Sequence, residues 1–269
     1  MKSGSRRRGR PKSFAGLKPG GTIQALDRAL DVLTALAGGG GMTLSELATQ
    51  LDQSAATMYR VLTTLERRVF VEMSADRQEW YVGAEAYRLG SAFLRRTNVV
   101  ERSRPVMRML MQETGETSNL GIEKDGNVLF ISQVETHESI RAFFPPGTLS
   151  PLHASGIGKA LLSAYDDAQL GRLFRDKALE RFTDKTIVSL AKLQEDIKRA
   201  REQGFALDDE ERKTGMRCVA SPVLNNHGEA VAGLSISGPA HRLTDAHVVK
   251  FGGLVRQAAT EVSRALGAT

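Results

Sequence analysis

The sequence predicts an α+β protein of two domains, and three observations lead to this prediction. The chain has 269 residues, which is more than a single domain usually holds. Apolar residues of the first third recur mainly at helical spacing, whereas several segments after residue 116 alternate with a period of two. Helices interrupt these alternating segments, which is typical of an α+β domain built on an antiparallel sheet.

Charge separates the same two parts of the chain. Residues 1–97 hold 15 Lys and Arg against 9 Asp and Glu, whereas residues 98–269 hold 22 of each. The positive excess predicts that the first part faces a polyanion such as nucleic acid. A basic tail that only improves solubility is the alternative, because one short segment carries part of the excess.

Composition indicates where the protein works. No uncharged apolar run approaches the roughly 20 residues that span a bilayer, and the basic N-terminus lacks the apolar segment of a signal peptide. The single cysteine, Cys218, excludes an internal disulfide framework and fits a reducing compartment. We therefore expect a cytoplasmic protein with no membrane partner.

Residues 1–20 are predicted to be a disordered basic arm. They carry seven basic residues, no acidic ones, four Gly and two Pro, so they cannot bury a core. Arg8 and Arg10 belong to an Arg-Gly-Arg-Pro segment that resembles an AT-hook, and a narrow A·T minor groove attracts inserted arginines. The match is short, so general attraction to a polyanion is the alternative.

Residues 21–84 are predicted to form three helices and a β-hairpin. A run of four glycines ends the first helix. Thr43 and Glu46 form a capping box at the start of the second helix, and Ser54 caps the third. The hairpin follows at residues 69–82. Two helices joined by a tight turn and followed by a hairpin are a winged helix-turn-helix.

The third helix, residues 54–68, has an outward face that suits DNA. Its apolar stripe is narrow, and the opposite side is small and polar at its start and basic towards its end. The N-terminal residues of such a helix meet base edges in the major groove. The candidate DNA-binding residues of this helix are Ser54, Ala55, Thr57, Tyr59, Arg60 and Arg67. A winged helix that binds another protein through a solvated polar face is the alternative.

Residues 85–98 are predicted to be a linker helix, and residues 99–269 a second domain. The predicted elements of that domain are a helix at 99–113, strands at 117–123, 128–134 and 140–144, helices from 154, at 166–174 and at 189–203, strands at 205–208, 218–224 and 230–237, and a final helix at 245–266.

A loop that leads into a helix could bind an anion in the second domain. The backbone N–H groups of Ser155, Gly156 and Ile157 are free at the start of that helix, where the helix dipole also favours a carboxylate. The loop is not a P-loop, because Ala rather than Ser or Thr follows Lys159. An ordinary loop-to-helix turn is the alternative.

Two further segments hold candidate polar groups. Ser235 and Ser237 alternate with Ile236, so both hydroxyls point to one face of a strand. Asp208 and Cys218 occur on neighbouring predicted strands. The segment around Ser235 lacks the second Gly and the strand-to-helix turn of a nucleophile elbow, which disfavours a hydrolase. Each of these residues also has an ordinary structural explanation when taken singly.

In order and in residues, these segments resemble the IclR family of bacterial transcription regulators over nearly the whole chain after residue 20. The motifs that carry the resemblance are TIQALDRALDVLTAL, LSELATQLDQSAATMYRVLTTLE, PLHASGIGKALLSA, GFALDDEERKTGMRCVASPV and AGLSISGP. One departure is Arg68-Val69-Phe70, where the family usually has Gly before the first strand of the wing. Gly normally supplies the left-handed residue that ends such a helix, so the resemblance does not fix the helix end here.

The resemblance implies a GAF-like effector-binding domain at residues 99–269. Family members that sense glyoxylate or similar small oxo-acids use a loop-to-helix turn, an Asp, a Cys and a Ser-x-Ser strand. The matching positions are Ser155, Gly156, Ile157, Asp208, Cys218, Ser235, Ile236 and Ser237. Backbone amides and serine hydroxyls would donate to the carboxylate and oxo oxygens, and Asp208 would accept from a hydrated aldehyde.

The predicted function is a DNA-binding transcription regulator controlled by a small organic acid, with glyoxylate as the preferred effector. We expect no catalytic residue, no metal and no cofactor, because the His and Cys residues show no zinc-like spacing. A homodimer would read a roughly palindromic operator, and the resemblance implies a dimer of dimers. A regulator of the same fold that senses a larger aromatic or sugar-derived acid is the alternative. A hydrolase with Ser235 or Cys218 as nucleophile and an interaction module without DNA affinity belong to other classes.

Overall fold

The computed structural model describes residues 23–38, 40–97, 99–175 and 177–268. Its backbone contacts divide the chain into two compact units, with the boundary between Phe93 and Leu94. Both units combine helices with antiparallel strands, so the predicted α+β class is confirmed.

Three helices and a three-stranded sheet make up the first unit before the boundary helix. Its elements are α1 (Gln24–Ala37), β1 (Met42–Thr43), α2 (Leu44–Gln50), α3 (Ala55–Glu66), β2 (Val71–Ser74) and β3 (Glu79–Val82). The antiparallel sheet has the order β1-β3-β2. Helices α2 and α3 and the β2–β3 hairpin form the predicted winged helix-turn-helix. Strand β1 was not predicted, because two residues are too few to show an alternating pattern.

The first unit closes around one apolar core. Thr43 caps α2 as predicted, since its hydroxyl accepts from Glu46 N and its own N–H donates to the Glu46 carboxylate at 2.8 Å. The apolar face of α2, which begins at this cap, packs against the apolar faces of α1 and α3. The best-buried side chains of this core are Val32, Leu47, Met58, Leu62 and Trp80.

The end of α3 places a β-branched residue in the left-handed region. Val69 has φ +59°, and its N–H donates to Glu66 O at 2.8 Å while Phe70 N donates to Leu65 O at 3.0 Å. These two bonds are the Schellman pattern that Gly usually completes. A left-handed residue with a side chain costs about 1–2 kcal/mol. The helix therefore ends where a Gly would end it, but with strain in the backbone.

The boundary helix α4 (Ala84–Thr97) begins beside this turn. Gly83 N donates to Phe70 O at 2.8 Å, and Glu85 N donates to Val69 O at 3.0 Å. A Cβ at position 83 would lie 2.4 Å from Val69 O, so only Gly permits this approach. The first turn of α4 is thereby fixed to the last turn of α3.

The second unit is built on a six-stranded antiparallel sheet with the order β6-β5-β4-β9-β8-β7. Its strands are β4 (Thr117–Lys124), β5 (Asn127–Val134), β6 (Leu149–Pro151), β7 (Ala206–Asp209), β8 (Met216–Leu224) and β9 (Ala230–Pro239). Its helices are α5 (Val99–Thr114), α6 (Gly156–Leu162), α7 (Asp167–Phe174), α8 (Leu190–Gln203) and α9 (Asp245–Ala265).

Both faces of this sheet are covered by helices. One face packs against α5 and α9 and includes Leu234 and Ile236 of β9. The other face packs against α6, α7 and α8 and includes Ala220 of β8. Successive residues of a strand point to opposite faces, so Ser235 and Ser237 lie on the face that α6 covers.

The predicted strand at 140–144 is wrong. This segment belongs to a loop between β5 and β6, and the edge of the sheet is β6 instead. Ala142 is buried and Phe144 stacks on Phe130 at 4.8 Å, whereas Ile140 and Phe143 are exposed. The apolar residues that predict a strand here are thus divided between buried and exposed positions of a loop. Two prolines follow it directly, and Pro cannot donate to a neighbouring strand.

None of the helices in the part of the chain that the structure describes is both long and apolar enough to cross a membrane.

We predict that Val69→Gly stabilises the first unit. Gly adopts φ +59° without the cost of a Cβ, so we expect a gain of about 1 kcal/mol, or a rise of about 5 °C in Tm. Trp80 is the only tryptophan and lies in the core of this unit, so its fluorescence during thermal unfolding reports the effect.

Val82→Gly is the matched control for this substitution. Val82 is also part-exposed but lies in strand β3, so its loss should lower the Tm. An unchanged or lowered Tm for Val69→Gly would contradict the assignment of strain to Val69.

Candidate functional site

The start of helix α3 is fixed by its own cap. The Ser54 hydroxyl accepts from Thr57 N at 3.2 Å and lies 2.9 Å from the Thr57 hydroxyl. Ser54 is exposed and Thr57 is half-buried. Of the predicted DNA-binding residues, these two therefore also hold the helix in shape.

The outward face of α3 is a single row at helical spacing. Met58, Leu62 and Leu65 are buried, so the side opposite to them faces outward. Arg60 and Arg67 lie at the middle of that side, and both are exposed. Tyr59 is 57% exposed and flanks the row, whereas Ala55 is exposed in the first turn but lies on the side of the buried Leu62, seven residues later. The structure thus brings Tyr59, Arg60 and Arg67 to one surface.

One member of this row, Ala56, was missed at the level of sequence. Ala56 falls at helical spacing with Arg60 and Arg67, as does Thr63, and Ala56 is exposed. The Thr63 hydroxyl donates to Tyr59 O at 2.9 Å, so it has an intrahelical partner. Spacing from the buried Met58 would have identified Ala56. The predicted contacts of Arg8 and Arg10 lie outside the described residues.

The candidate effector residues form a line across the sheet of the second unit. Asp208 lies opposite Cys218, Cys218 lies opposite Ser237, and Ser237 lies opposite Thr117. Directly opposed residues of antiparallel strands point to the same face. Ser235 lies two residues before Ser237 and shares this face. Four strands therefore contribute adjacent polar side chains to one surface under α6.

Ser235 is the least satisfied of these groups. Its hydroxyl is completely buried and has no hydrogen-bond partner of ordinary geometry among the described residues. It lies near the Cys218 thiol, where it favours the thiolate. A buried hydroxyl without a hydrogen-bond partner lowers the stability of the fold by about 1–3 kcal/mol. A ligand oxygen that accepted a hydrogen bond from Ser235 would remove this cost.

Helix α6 meets this line of residues at its first turn. A Cβ at Gly156 would lie 2.6 Å from Cys218 Sγ, so the backbone at Gly156 approaches Cys218 as closely as it can. The Ser155 hydroxyl accepts from Gly158 N at 3.3 Å. Ile157 is completely buried, and its side chain packs against Gly233. Only the backbone of Ile157 remains as a candidate ligand contact.

Ile236 does not come to the candidate site with its neighbours. Its side chain is fully buried on the opposite face of the sheet, against α5 and α9. Strand alternation requires this arrangement once Ser235 and Ser237 face α6.

A cavity of about 160 Å³ opens beside Asp208, Cys218 and Ser237. Its apolar wall comes partly from the loop between β5 and β6. The lining side chains beyond the three predicted ones are Arg141, Ala142, Phe143, Phe144, Arg212, Lys213, Met216 and Arg217. Four of these eight residues are cationic, which favours an anionic occupant.

Two of the four cations have no carboxylate partner within the described chain. Arg141 pairs with Glu135 at 2.8 Å, and Arg217 pairs with Asp209 at 2.5 Å. Arg212 instead lies 4.0 Å from the centre of the Phe182 ring, and no ion pair of Lys213 occurs among the residues described. Arg212 and Lys213 are therefore the cations of this lining that could compensate an incoming negative charge.

Asp208 is an unusual carboxyl because it is buried away from any directly paired cation. Burial raises its pKa to about 7, and the nearby Lys159 and backbone N–H groups offset only part of this effect. Glu211 N donates to Asp208 Oδ1 at 2.8 Å. Near pH 7 a large fraction of Asp208 is therefore neutral and can donate a hydrogen bond to an anion.

Cys218 is not a reactive thiol in this setting. Although part of the residue is exposed, its thiol lies among protein groups, and desolvation together with Asp208 raises its pKa to about 11. Thiols of such high pKa hold little thiolate at neutral pH, and the thiolate is the nucleophile. Cys218 therefore forms a wall of the site rather than a catalytic group.

Three polar residues near the candidate site, Asn119, Gln133 and Thr117, escaped sequence reasoning. Asn119 Nδ2 donates to Ser237 Oγ at 3.3 Å, and Gln133 Nε2 donates to Asn119 Oδ1 at 3.0 Å. Thr117 faces the same side as Ser237. The β4–β5 hairpin places Gln133 opposite Asn119, but only the pairing of β4 with β9 brings Asn119 and Thr117 to Ser237, and no local pattern predicts that pairing.

Comparisons with known proteins agree with both units. The family model of the IclR helix-turn-helix domain matches residues 25–74, and that of the bacterial transcriptional regulator IclR C-terminal region matches residues 91–264. The HTH-type transcriptional regulator BhcR of Paracoccus denitrificans is 52% identical, over 96% of this chain and 94% of that protein. The transcriptional repressor IclR of Escherichia coli is 38% identical, over 97% of this chain and 96% of that protein.

A solved structure shows the same fold. The crystal structure of the Thermotoga maritima IclR is 28% identical to this chain and superposes with a TM-score of 0.76. The match covers 90% of this chain and 98% of that chain.

We predict that Asp208→Asn stabilises the protein increasingly as the pH rises. The folded chain holds the Asp208 proton up to about pH 7, whereas an unfolded Asp loses it near the ordinary value of 3.8, so burial of Asp208 destabilises the fold above that value. The advantage of Asn should grow from pH 4 to pH 8 by about 4 kcal/mol, because one pKa unit corresponds to about 1.4 kcal/mol. Denaturant unfolding at several pH values measures this.

Asp209→Asn is a control with the opposite sign. Its side-chain hydrogen bonds to Arg217 and Lys185 outweigh partial burial and lower the pKa of Asp209, so that substitution should cost stability at pH 8 and cost little at pH 3. A pH-independent effect of Asp208→Asn would show that Asp208 titrates as an ordinary carboxyl.

Proposed function

Because the chain belongs to the IclR family of bacterial DNA-binding transcriptional regulators, we propose that glyoxylate is the effector that controls it. The first unit binds DNA, and the second unit is the effector domain of this family. The finer parts of the proposal are the effector, the residues that contact it and the residues that contact DNA.

The line of Asp208, Cys218, Ser237 and Ser235 beneath Gly156 is the observation that carries this proposal. A two-carbon acid has only a carboxylate and one oxo or hydrated carbonyl group to recognise. Serine hydroxyls, the backbone N–H groups of the α6 turn and a neutral Asp208 supply donors for both ends within one small volume. Arg212 and Lys213 at the cavity compensate the negative charge.

The outward row of α3 supports the proposed DNA contacts. Exposed Arg60 and Arg67 place two cations on the face that turns away from the core, beside the small Ala56. Small residues let a helix approach base edges closely, and arginines contact bases or phosphates. We propose Arg60 as the principal side-chain contact of this helix, together with Ser54, Thr57, Tyr59 and Arg67.

We further propose that the protein binds DNA as a homodimer or as a dimer of dimers. Symmetric half-sites would then lie about one helical turn apart, so the operator would be roughly palindromic. Effector control requires that glyoxylate bind the DNA-competent and DNA-free conformations with different affinity.

We predict that Arg60→Ala weakens binding to a fragment of the chain's own upstream DNA by about tenfold. Loss of one phosphate contact would also lower the slope of log affinity against log salt by about 1. Titration of labelled DNA at several salt concentrations measures both quantities. Lys192→Ala removes one exposed cation from α8 of the second unit and should leave both unchanged. Equal effects of the two substitutions would argue against a role of α3 in DNA binding.

We predict that glyoxylate binds the second unit and that Ser235→Ala weakens this binding about tenfold or more, because a hydrogen bond to a charged group contributes about 1.5–3 kcal/mol. Affinity should fall as the pH rises above 7, since Asp208 then ionises beside the carboxylate. Calorimetry at pH 6, 7 and 8 measures both effects.

Ser118→Ala is the matched control for Ser235→Ala. Ser118 is also completely buried without a hydroxyl partner, but it lies opposite Ile236 and so faces away from the candidate site. The Ser118→Ala variant should bind glyoxylate with the same affinity as the unchanged chain. Binding of protocatechuate without binding of glyoxylate would favour the larger aromatic acid instead.

A further inference from the structure

Lys159 is a fully buried cation that the proposed effector contacts do not use. It lies on α6, and its side chain is 1% exposed. Its Nζ lies 2.5 Å from Glu211 Oε1 and 2.7 Å from Asp196 Oδ2. Three separate parts of the second unit therefore meet at this ammonium group, namely α6, α8 and the segment after β7.

The charge of Lys159 is maintained by its two partners. Burial disfavours the ammonium form, but Glu211 and Asp196 outweigh burial and raise the pKa of Lys159. Glu211 is itself buried, and its second carboxylate oxygen has no partner among the described residues. Lys159 thus has two carboxylate partners, whereas one of the two carboxylate oxygens of Glu211 has no hydrogen-bond partner within the described part of the chain.

The same ion pair connects the two halves of the candidate effector site. Lys159 N donates to Ser155 O at 2.9 Å, one helical turn from the proposed anion-binding turn. Glu211 N donates to Asp208 Oδ1 at 2.8 Å. A continuous path of bonds therefore runs from Ser155 through Lys159 and Glu211 to Asp208.

Other contacts of Glu211 hold it from the opposite side. The Thr186 hydroxyl donates to Glu211 O at 2.7 Å, and the Thr183 hydroxyl donates to Glu210 O at 2.8 Å. These bonds position the backbone of the segment against the loop that precedes α8. Among the side-chain contacts of Glu211, the one to Lys159 is the contact that reaches α6.

Stability alone does not account for this ion pair. Desolvation of two buried charges largely cancels their attraction, and apolar residues of similar volume are often equally stable or more stable. The ion pair can, however, hold neighbouring groups at fixed positions. An apolar pair cannot do this, because dispersion forces have no directional preference.

We propose that Lys159 is a positioning residue for effector binding, because its ion pair with Glu211 holds Asp208 at a fixed distance from the first turn of α6. This inference rests on the proposed function of that site. The loss of the pair would leave every proposed ligand contact in place but would let the two halves of the site move apart.

The test uses the full chain with Lys159→Met and Glu211→Met combined, which removes both charges and keeps the volume. We expect its Tm to stay within a few degrees of the unchanged chain, whereas its affinity for glyoxylate falls at least tenfold in calorimetry. In the absence of glyoxylate, amide hydrogen exchange in residues 208–216 should become at least tenfold faster, since the backbone that donates from Glu211 N to Asp208 Oδ1 is no longer held to α6 by the ion pair. Glu211→Gln, which keeps the size of the side chain, should show the same changes to a smaller degree and serves if the double variant fails to fold.

Arg199→Met is the matched control, because Arg199 is 71% exposed and pairs with the other oxygen of Asp196 at 2.7 Å. The Arg199→Met substitution should change neither the affinity for glyoxylate nor the amide hydrogen exchange of residues 208–216. Native affinity and native exchange in the charge-free variant would overturn the proposal. Absence of glyoxylate binding in the unchanged chain would refute the proposed effector instead, and the exchange comparison alone would then decide the role of Lys159.

Discussion

The close approach of helix α6 to the sheet is the constraint on which the second unit depends. A Cβ at Gly233 would lie 2.6 Å from Ile157 Cγ2, and one at Gly156 would lie 2.6 Å from Cys218 Sγ. These glycines let the helix backbone rest almost directly on β8 and β9. The first turn of α6 consequently lies directly against the polar line across the sheet.

The electrostatics of this space follow from one cation among three carboxyls. Lys159 forms ion pairs with Asp196 and Glu211, whereas Asp208 accepts from Glu211 N but has no cation paired with it in the chain as described. Burial therefore raises the pKa of Asp208 to about 7 even though Lys159 offsets part of the effect, and a large fraction of the group is neutral near pH 7. This reduces the negative charge beside the cavity, and the cations of the cavity lining act in the same direction.

The sequence predicted those features that depend on local spacing and chain order. The caps at Thr43 and Ser54, the outward face of α3 and the shared face of Ser235 and Ser237 all follow from the periods of helix and strand. The contribution of Asn119 could not be predicted, because it reaches Ser237 across 118 positions through the pairing of β4 with β9. The segment at 140–144 is predicted to be a strand because Ile140, Ala142 and Phe144 alternate along it. In the structure it is a loop that places Phe144 against Phe130.

The strained turn at Val69 has a mechanical consequence for the first unit. Hydrogen bonds from Gly83 N to Phe70 O and from Glu85 N to Val69 O join this turn to the start of α4, so α3 and the boundary helix are connected at that point. A torque on α4 would reach the C-terminal end of α3 through this joint before it disturbed the apolar core. The outward arginines of α3 would then move together with that end of the helix.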